Sequence, residues 1–420
     1  IILGLADTIM IGHHSTEELA AAAFVNNVFN LAIIFATGFS YGLTPLIGML
    51  QGGGNTQGIG RVFRNALAAN ASVAVLLTAV MYTVYCFVDK LGQPEELLPH
   101  IRPYFVLQLI SLLFIMLFNG FRQFAEGLTD TRTPMWILLG GNALNIFGNY
   151  LLIYGSFGFP EWGLFGAGVS TLVSRIVMLL VFIGVVTVAR RYKVYREAIL
   201  RSRFNRNDFI QLNALGWPIA LQMGMETAAF SLSAIMVGWL GSIPLAAHQI
   251  MISVSTIGFM VYYGMGAALA VRVSHFMGQK DFPNLRRAVN SGMGIILSLA
   301  IVASLFFYLA RTPIIYSFTE DHEVMVVVSS LIFSLIVYQF GDALQITFAN
   351  ALRGTTDVKP MMWIAFFSYF IVALPVGYLC GFTWGGGVVG MWVAFPAGLF
   401  TAGFLFWLRF RYRLQQLMKK

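Results

Sequence analysis

Three acidic residues of this 420-residue chain stand inside long apolar stretches: Asp7, Glu226 and Asp342. The other 15 of its 18 acids lie in polar segments or beside them. A carboxylate in hydrocarbon is costly, so such residues face a bundle interior and mark ion or substrate paths. Burial favours the neutral acid, which suits proton exchange. An ionised carboxylate with other oxygens nearby can instead hold a hard cation such as Na+. The plainer alternative for any one acid is a satisfied hydrogen bond between helices. Three acids in one chain weigh towards function.

The neighbours of these acids extend the reading. Asp342 sits in 338-YQFGDALQ-345. Tyr338 is one helical turn before it on the same face, so its hydroxyl could join a cation site, with an ordinary buried tyrosine as the equal alternative. Gln339 and Gln345 share that helix and could line a polar path. Glu226 sits in 222-QMGMETAAFS-231, with Gln222 one turn back and Met223 and Met225 alongside. Methionine adapts to varied apolar ligands, although packing is its commoner role. In the first half Asp7 is followed by Asn26, Asn27 and Asn30, then by Asn142, Asn145 and Asn149. Asn145 and Asn149 share a helix face. They could line a substrate path or act as helix–helix glue.

These residues need elements that hold them in a bilayer. The chain is 58% hydrophobic and 10% charged, against about 25% charged in soluble domains. Its mean hydropathy is +0.76. Apolar runs long enough to cross a bilayer as helices recur throughout, and strand-like alternation is absent. The fold class read from this is an all-α polytopic membrane protein with twelve transmembrane helices in two six-helix lobes. The spans fall at 1–11, 19–45, 63–88, 98–121, 134–154, 163–189, 212–238, 245–271, 287–310, 324–349, 360–382 and 387–408. The first is too short to cross, and the chain begins Ile1-Ile2. The front of the first helix is therefore expected to be missing.

Charge placement sets an orientation. With the N-terminus inside, 22 of the 26 Lys and Arg fall in inside segments. Lys90, Arg102 and Arg311 fall outside, and Arg175 lies within a span. This is the positive-inside bias. It places both termini in the cytoplasm and explains the net charge of +8 without a nucleic-acid partner. The expected location is the inner (plasma) membrane.

A repeat divides the chain. The stretch 9-IMIGHHSTEELAA-21 aligns with 235-IMVGWLGSIPLAA-247, and 163-GLFG-166 with 387-GVVG-390. Six spans separate the copies, so both halves share one membrane orientation. Transporters built this way place the substrate path between the halves. The expected organisation is an N-terminal lobe at 1–189, a basic cytoplasmic linker at 190–211, a C-terminal lobe at 212–408 and a basic tail at 409–420. No HExxH, CxxC, GxSxG, Walker or GxGxxG arrangement appears, so neither an enzyme nor a resident cofactor is expected. Cys86 and Cys380 read as buried spectators. His13, His14 and His248 fall at span ends and read as interfacial.

Taken together, the six-plus-six repeat, 7-DTIMIG-12, 235-IMVGWLGSIPLAAHQ-249, 127-GLTDTRTP-134 and 353-RGTTDVKP-360 resemble the multidrug and toxic compound extrusion (MATE) family over essentially the whole chain. The acids on spans seven and ten resemble its NorM-type branch more than its DinF-type branch. The resemblance implies two lobes exporting cationic amphiphilic molecules in exchange for Na+ or H+; nothing in the sequence requires more than a monomer. It implies that Glu226, Tyr338 and Asp342 match the C-lobe cation site and Asp7 the N-lobe acid linked to proton coupling. In archaeal DinF-type members a second N-lobe acid lies on span five. Asn149 stands at the matching place here, which weakens a purely N-lobe proton mechanism. The rival reading is a flippase for a lipid-linked precursor. It would want a strongly cationic cavity, whereas intramembrane cations are nearly limited to Arg175.

Overall fold

The computed structural model describes residues 2–419, with side chains from residue 7 onward. Among these residues every regular element is helical. The helices are α1 (Ile2–His14), α2 (Thr16–Ser40), α3 (Leu43–Gly52), α4 (Thr56–Cys86), α5 (Leu98–Gly127), α6 (Arg132–Tyr154), α7 (Gly163–Val188), α8 (Lys193–Arg201) and α9 (Arg206–Gly238). Then follow α10 (Ser242–Gln279), α11 (Phe282–Leu309), α12 (Arg311–Phe318), α13 (His322–Gly354), α14 (Lys359–Phe366), α15 (Leu374–Tyr378), α16 (Gly387–Trp392) and α17 (Ala394–Met418). Eleven helical segments among the described residues are long and apolar enough to cross a membrane. The expected twelfth is α1, whose 13 residues cannot span a bilayer alone.

Local chemistry sets where the helices begin. Ser15, Asn55, Asp281 and Asp321 each accept a backbone N–H of the first turn of α2, α4, α11 and α13. Their ends reach beyond the apolar stretches. α10 continues to Gln279 and α17 to Met418, past the expected limits of 271 and 408. The arginines on these extensions, Arg272 in α10 and Arg409, Arg411 and Arg413 in α17, can keep their stems on the helix and their heads in water, so charge does not end the helix. The last-but-one span is irregular. Phe367–Ala373 and Leu379–Thr383 are π-helical, on either side of α15. Pro375 lies between them and cannot donate to the preceding turn, which accounts for the widened ladder.

The chain forms two compact units, Ile1–Ala220 and Leu221–Lys420. The division falls inside α9 and not at the basic linker. The reason lies in the first third of α9, which packs on the first unit. Asp208 accepts from Arg61 Nε at 2.5 Å, and the Trp217 ring meets Phe39 edge-on at 5.6 Å. Part of the linker is itself helical, as α8. Within lipid there is no hydrophobic drive between helices, so close packing and hydrogen bonds must join them. In the first unit Phe63 stacks on Phe124 (4.1 Å), and Phe29 meets Phe105 (4.8 Å). In the second, Tyr262, Ile296, Ala300, Ala343 and Ile346 form a buried cluster.

The sequence repeat reappears as repeated backbone geometry. Gly163 and Gly387 both adopt positive φ, +52° and +55°, at the start of α7 and α16. Thr129 and Thr356 share the left-handed region at +64° and +59°. Each is followed by an aspartate, Asp130 or Asp357, that pairs with an arginine of its own unit, Arg191 or Arg409. Two expectations are corrected. Cys86 is exposed at the end of α4 and Cys380 is half-buried, so neither is a core residue. His248 is buried, because α10 begins at Ser242 and turns this residue onto Trp392 and Phe395.

Candidate functional site

In the second unit α9, α13 and the first π-helical stretch converge on Glu226. Gln222, one turn earlier on α9, donates to Glu226 Oε2 at 2.9 Å, and Gln345 of α13 donates to the same oxygen at 3.3 Å. Behind Gln222, Arg353 Nη2 donates to its amide oxygen at 2.7 Å. Arg353 is 5% exposed, a guanidinium buried at the end of α13. Tyr369, carried by the π-helical stretch, lies close to the Glu226 carboxylate without meeting hydrogen-bond geometry.

Asp342 is 1% exposed on α13 and feels the charge of Glu226. Among the described residues its Oδ2 has no hydrogen-bond partner. The same holds for both amide atoms of Gln339 and for the Tyr262 hydroxyl, which also senses Asp342. Buried polar atoms are nearly always paired, so such a group demands an explanation. Tyr338 is buried one turn before Asp342. Its ring meets Phe230, Trp392 and Phe395 at 6.4 Å each. Phe230 stacks on Phe395 at 4.8 Å, and His248 completes the aromatic wall. The site thus holds two carboxylates against one guanidinium, with an aromatic side.

The first unit carries a separate site. Asn149 donates to Asp7 Oδ1 at 2.5 Å. The Asn145 amide, oriented with its nitrogen towards Asp7, donates to the same oxygen at 3.0 Å and accepts from Thr171. Arg175 of α7 acts on Asp7 through its charge and donates to Gln108 (3.3 Å) and to Ser111. From Gln108 the chain of bonds runs to Tyr104 and on to Asn26, both at 3.1 Å. This site has one carboxylate and one guanidinium.

The structure therefore brings Gln222, Glu226, Tyr338, Gln339, Asp342 and Gln345 into one cluster, and Asp7, Asn145 and Asn149 into another. Met223 is partly exposed and outside the hydrogen-bonded cluster; its carbonyl accepts from Thr227. Arg353, Tyr369, Tyr262 and Arg175 escaped assignment. Arg353 counted as one more basic loop residue, although its place opening 353-RGTTDVKP-360 was a signal. Tyr369 depends on a π-helical register that no periodicity shows. Among the described residues no three His, Cys, Asp or Glu side chains are grouped to hold a metal ion. The oxygen donors present suit a hard monovalent cation or a proton better than a transition metal.

Comparisons with known proteins agree with this architecture. The protein family described as MatE matches residues 1–151 and again 218–379. The multidrug resistance protein NorM of Photobacterium profundum is 30% identical over 424 residues, covering 98% of this chain and 91% of its own. Among solved structures, an outward-facing multidrug resistance MATE family transporter of the MOP superfamily superposes with a TM-score of 0.89 at 21% identity, over 100% of this chain and 93% of that one. A MOP superfamily transporter from Pyrococcus furiosus gives 0.86 at 20% identity, over the same shares. These two likenesses speak for the fold. The family match over most of the chain, with the NorM identity over nearly all of it, speaks for descent: the chain belongs to the MATE family of multi-pass membrane transporters and is not an enzyme.

Proposed function

We propose that this transporter is a multidrug efflux antiporter, exporting cationic amphiphilic molecules in exchange for Na+ or H+. The observation that carries the reading is the charge balance in the second unit. Arg353 acts on Glu226 through its charge, Asp342 feels only the charge of Glu226, and among the described residues Asp342 Oδ2 has no hydrogen bond. A buried carboxylate, Asp342, and a half-buried one, Glu226, against one guanidinium leave one negative charge over. A monovalent cation or a proton removes it. Glu226, Tyr338 and Asp342 would hold a Na+, or one of the acids a proton. The amides of Gln222, Gln339 and Gln345 orient the carboxylates and offer oxygens to ion or substrate. The aromatic wall of Phe230, Tyr338, Trp392 and Phe395 offers faces to an organic cation.

In this scheme the coupling ion and the organic cation compete for the same negative charge. Loading of the ion releases the substrate, and departure of the ion on the other side restores the site. Such an exchange drives transport only if the two ligands differ in affinity between the outward and inward states. Asp7 in the first unit serves as a second, weaker point of proton uptake. The protein works as a monomer in the inner membrane with both termini cytoplasmic, in keeping with its basic loops. A lipid-linked flippase is less well supported. Arg175 and Arg353 are both engaged by side chains of their own unit.

Ethidium efflux from vesicles holding the full chain tests the proposal, with an imposed Na+ gradient and then an imposed pH gradient. Efflux should follow one of the two and be lost in Asp342→Asn. Efflux that ignores both gradients, or is unchanged in Asp342→Asn, would overturn it.

A further inference from the structure

Within the second unit, and lined by none of the carboxylates, the start of α11, the end of α17 and Phe348 of α13 enclose a cavity of about 310 Å³. Its polar side carries Arg286, Asn290, Arg411 and Gln415. Trp407 and Phe348 form its apolar side and also line a second cavity of about 370 Å³. The rest of that second lining is Met293, Leu344 and Phe404, apart from the shared Asn290. A charged mouth thus continues into an apolar groove.

The two arginines differ from their neighbours. Arg409 is held by Asp357 through two bonds of 2.6 and 3.0 Å. Among the described residues no carboxylate lies within 4.0 Å of the Arg286 or Arg411 guanidinium. Arg411 lies over the Trp407 ring at 5.0 Å. From Arg411 to Phe404 the helix rises about 10 Å. That is the depth from a phosphate at the membrane surface to the first part of an acyl chain. Phe404, at the deep end, is 52% exposed and lies within a membrane-crossing segment. A soluble ligand or protein has no access there, whereas lipid does.

We propose that this paired cavity is a binding site for an anionic glycerophospholipid. Its phosphate sits between Arg286 and Arg411, and one acyl chain lies in the groove beside Phe348, Met293 and Phe404. Charge selects the headgroup and the groove selects a lipid over a free anion. The leaflet is the one that carries the basic ends of α11 and α17, the cytoplasmic one under the orientation proposed above. The site stands apart from the carboxylate cluster, so it can be tested without reference to transport.

Trp407 is the reporter. The full chain is purified into mixed micelles with dibrominated phosphatidylglycerol or with phosphatidylcholine bearing the same brominated chains. A Trp407→Phe variant subtracts the other tryptophans. Quenching of Trp407 should favour phosphatidylglycerol by about ten-fold in half-maximal lipid fraction, as expected from one to two favourable lipid–arginine interactions. The preference should vanish in R286Q/R411Q, fall part-way in R411Q alone, and largely persist in R286K/R411K. Both arginines are exposed, so these variants should keep the wild-type melting temperature. Equal quenching by the two lipids, or a preference unchanged in R286Q/R411Q, would overturn the proposal. So would inorganic phosphate that, without lipid, shifts Trp407 emission as far as phosphatidylglycerol does.

Discussion

The two halves of the molecule solve the same problem in different ways. Each holds acid inside a membrane-crossing bundle. In the first unit Asp7 receives two amide donors, Asn149 and Asn145, and has Arg175 as its opposite charge. The orphaned atom beside it is an amide oxygen, Asn149 Oδ1. In the second unit Glu226 receives Gln222 and Gln345, but Asp342 keeps an unpartnered oxygen and the charges do not cancel. The repeat has duplicated the scaffold and not the chemistry. Under the antiport proposed above, a cation or proton has more to gain in the second unit, because an uncompensated buried charge is where binding relieves the greatest penalty.

Removing the guanidinium from each site should break this contrast most visibly. Arg353→Met leaves two carboxylates with no counter-charge and should destabilise the protein by about 3–5 kcal/mol. Arg175→Met leaves Asp7 with both amides and should cost less, about 1–3 kcal/mol. Thermal unfolding in detergent, followed by tryptophan fluorescence, ranks them. Adding Glu226→Gln to Arg353→Met should recover part of the loss. Equal losses, or no recovery, would mean that the charge balance described here is not what the arginines supply.

Next in size is the effect on ion coupling. Asp342→Asn removes the carboxylate whose oxygen is free to bind and should weaken the coupling ion by about 2–3 kcal/mol, or roughly 30- to 150-fold. Asp7→Asn should lower efflux by about ten-fold or less, because its site is already hydrogen-bonded. Initial rates of ethidium efflux against Na+ concentration or pH give both numbers. A larger loss for Asp7→Asn would move the coupling centre to the first unit.

Much of this was legible in the sequence, and the limits have physical causes. Apolar runs and basic loops give the spans because a bilayer admits few alternatives. The three intramembrane acids stood out because hydrocarbon penalises charge. Spacing of four placed Gln222 with Glu226, and Asn145 with Asn149, correctly on shared faces. What could not be read was partnership across helices. Arg353 looks like a loop cation in sequence, and only the hydrogen bond from α13 to α9 places it on Gln222. Tyr369 sits in a π-helical register, where a period of 3.6 fails. The unit boundary inside α9 rests on Arg61–Asp208 and Phe39–Trp217, contacts between residues far apart in the chain.

Two glycines sharpen the comparison at the level of the backbone. Gly163 and Gly387 have nearly the same positive φ, so alanine at either should cost about 1–2 kcal/mol in strain. Their surroundings differ. A Cβ on Gly387 meets nothing within 4 Å, whereas one on Gly163 runs into the Glu18 carboxylate. That carboxylate accepts from the Leu164 N–H at 2.9 Å and from His14 at 2.8 Å. Gly163→Ala should therefore lower the melting temperature more than Gly387→Ala. The reverse order would show that the two turns are not equivalent in conformation.

The smallest expected effect concerns the aspartates after the paired left-handed threonines. Burial works against the Asp130 carboxylate, but hydrogen bonds from Tyr192 and Thr133 and the charge of Arg191 outweigh it, so its carboxyl lies below the ordinary range. Those bonds measure 2.5 Å from Tyr192 and 2.7 Å from the Thr133 hydroxyl. A carboxyl lowered on folding stabilises the folded state above its unfolded value of about 3.9. That contribution is lost as pH falls through the lower folded value. Asp130→Asn keeps an acceptor for the Thr133 N–H but gives up the charge and the oxygen that accepts from Tyr192 and from the Thr133 hydroxyl, so it should cost about 1 kcal/mol at neutral pH. The gap in melting temperature between the variant and the wild type should narrow as pH falls below the unfolded value and through the lower folded one. A gap that widens on acidification would mean that the aspartate is held protonated in the folded protein, and that Arg191 pairs with something else.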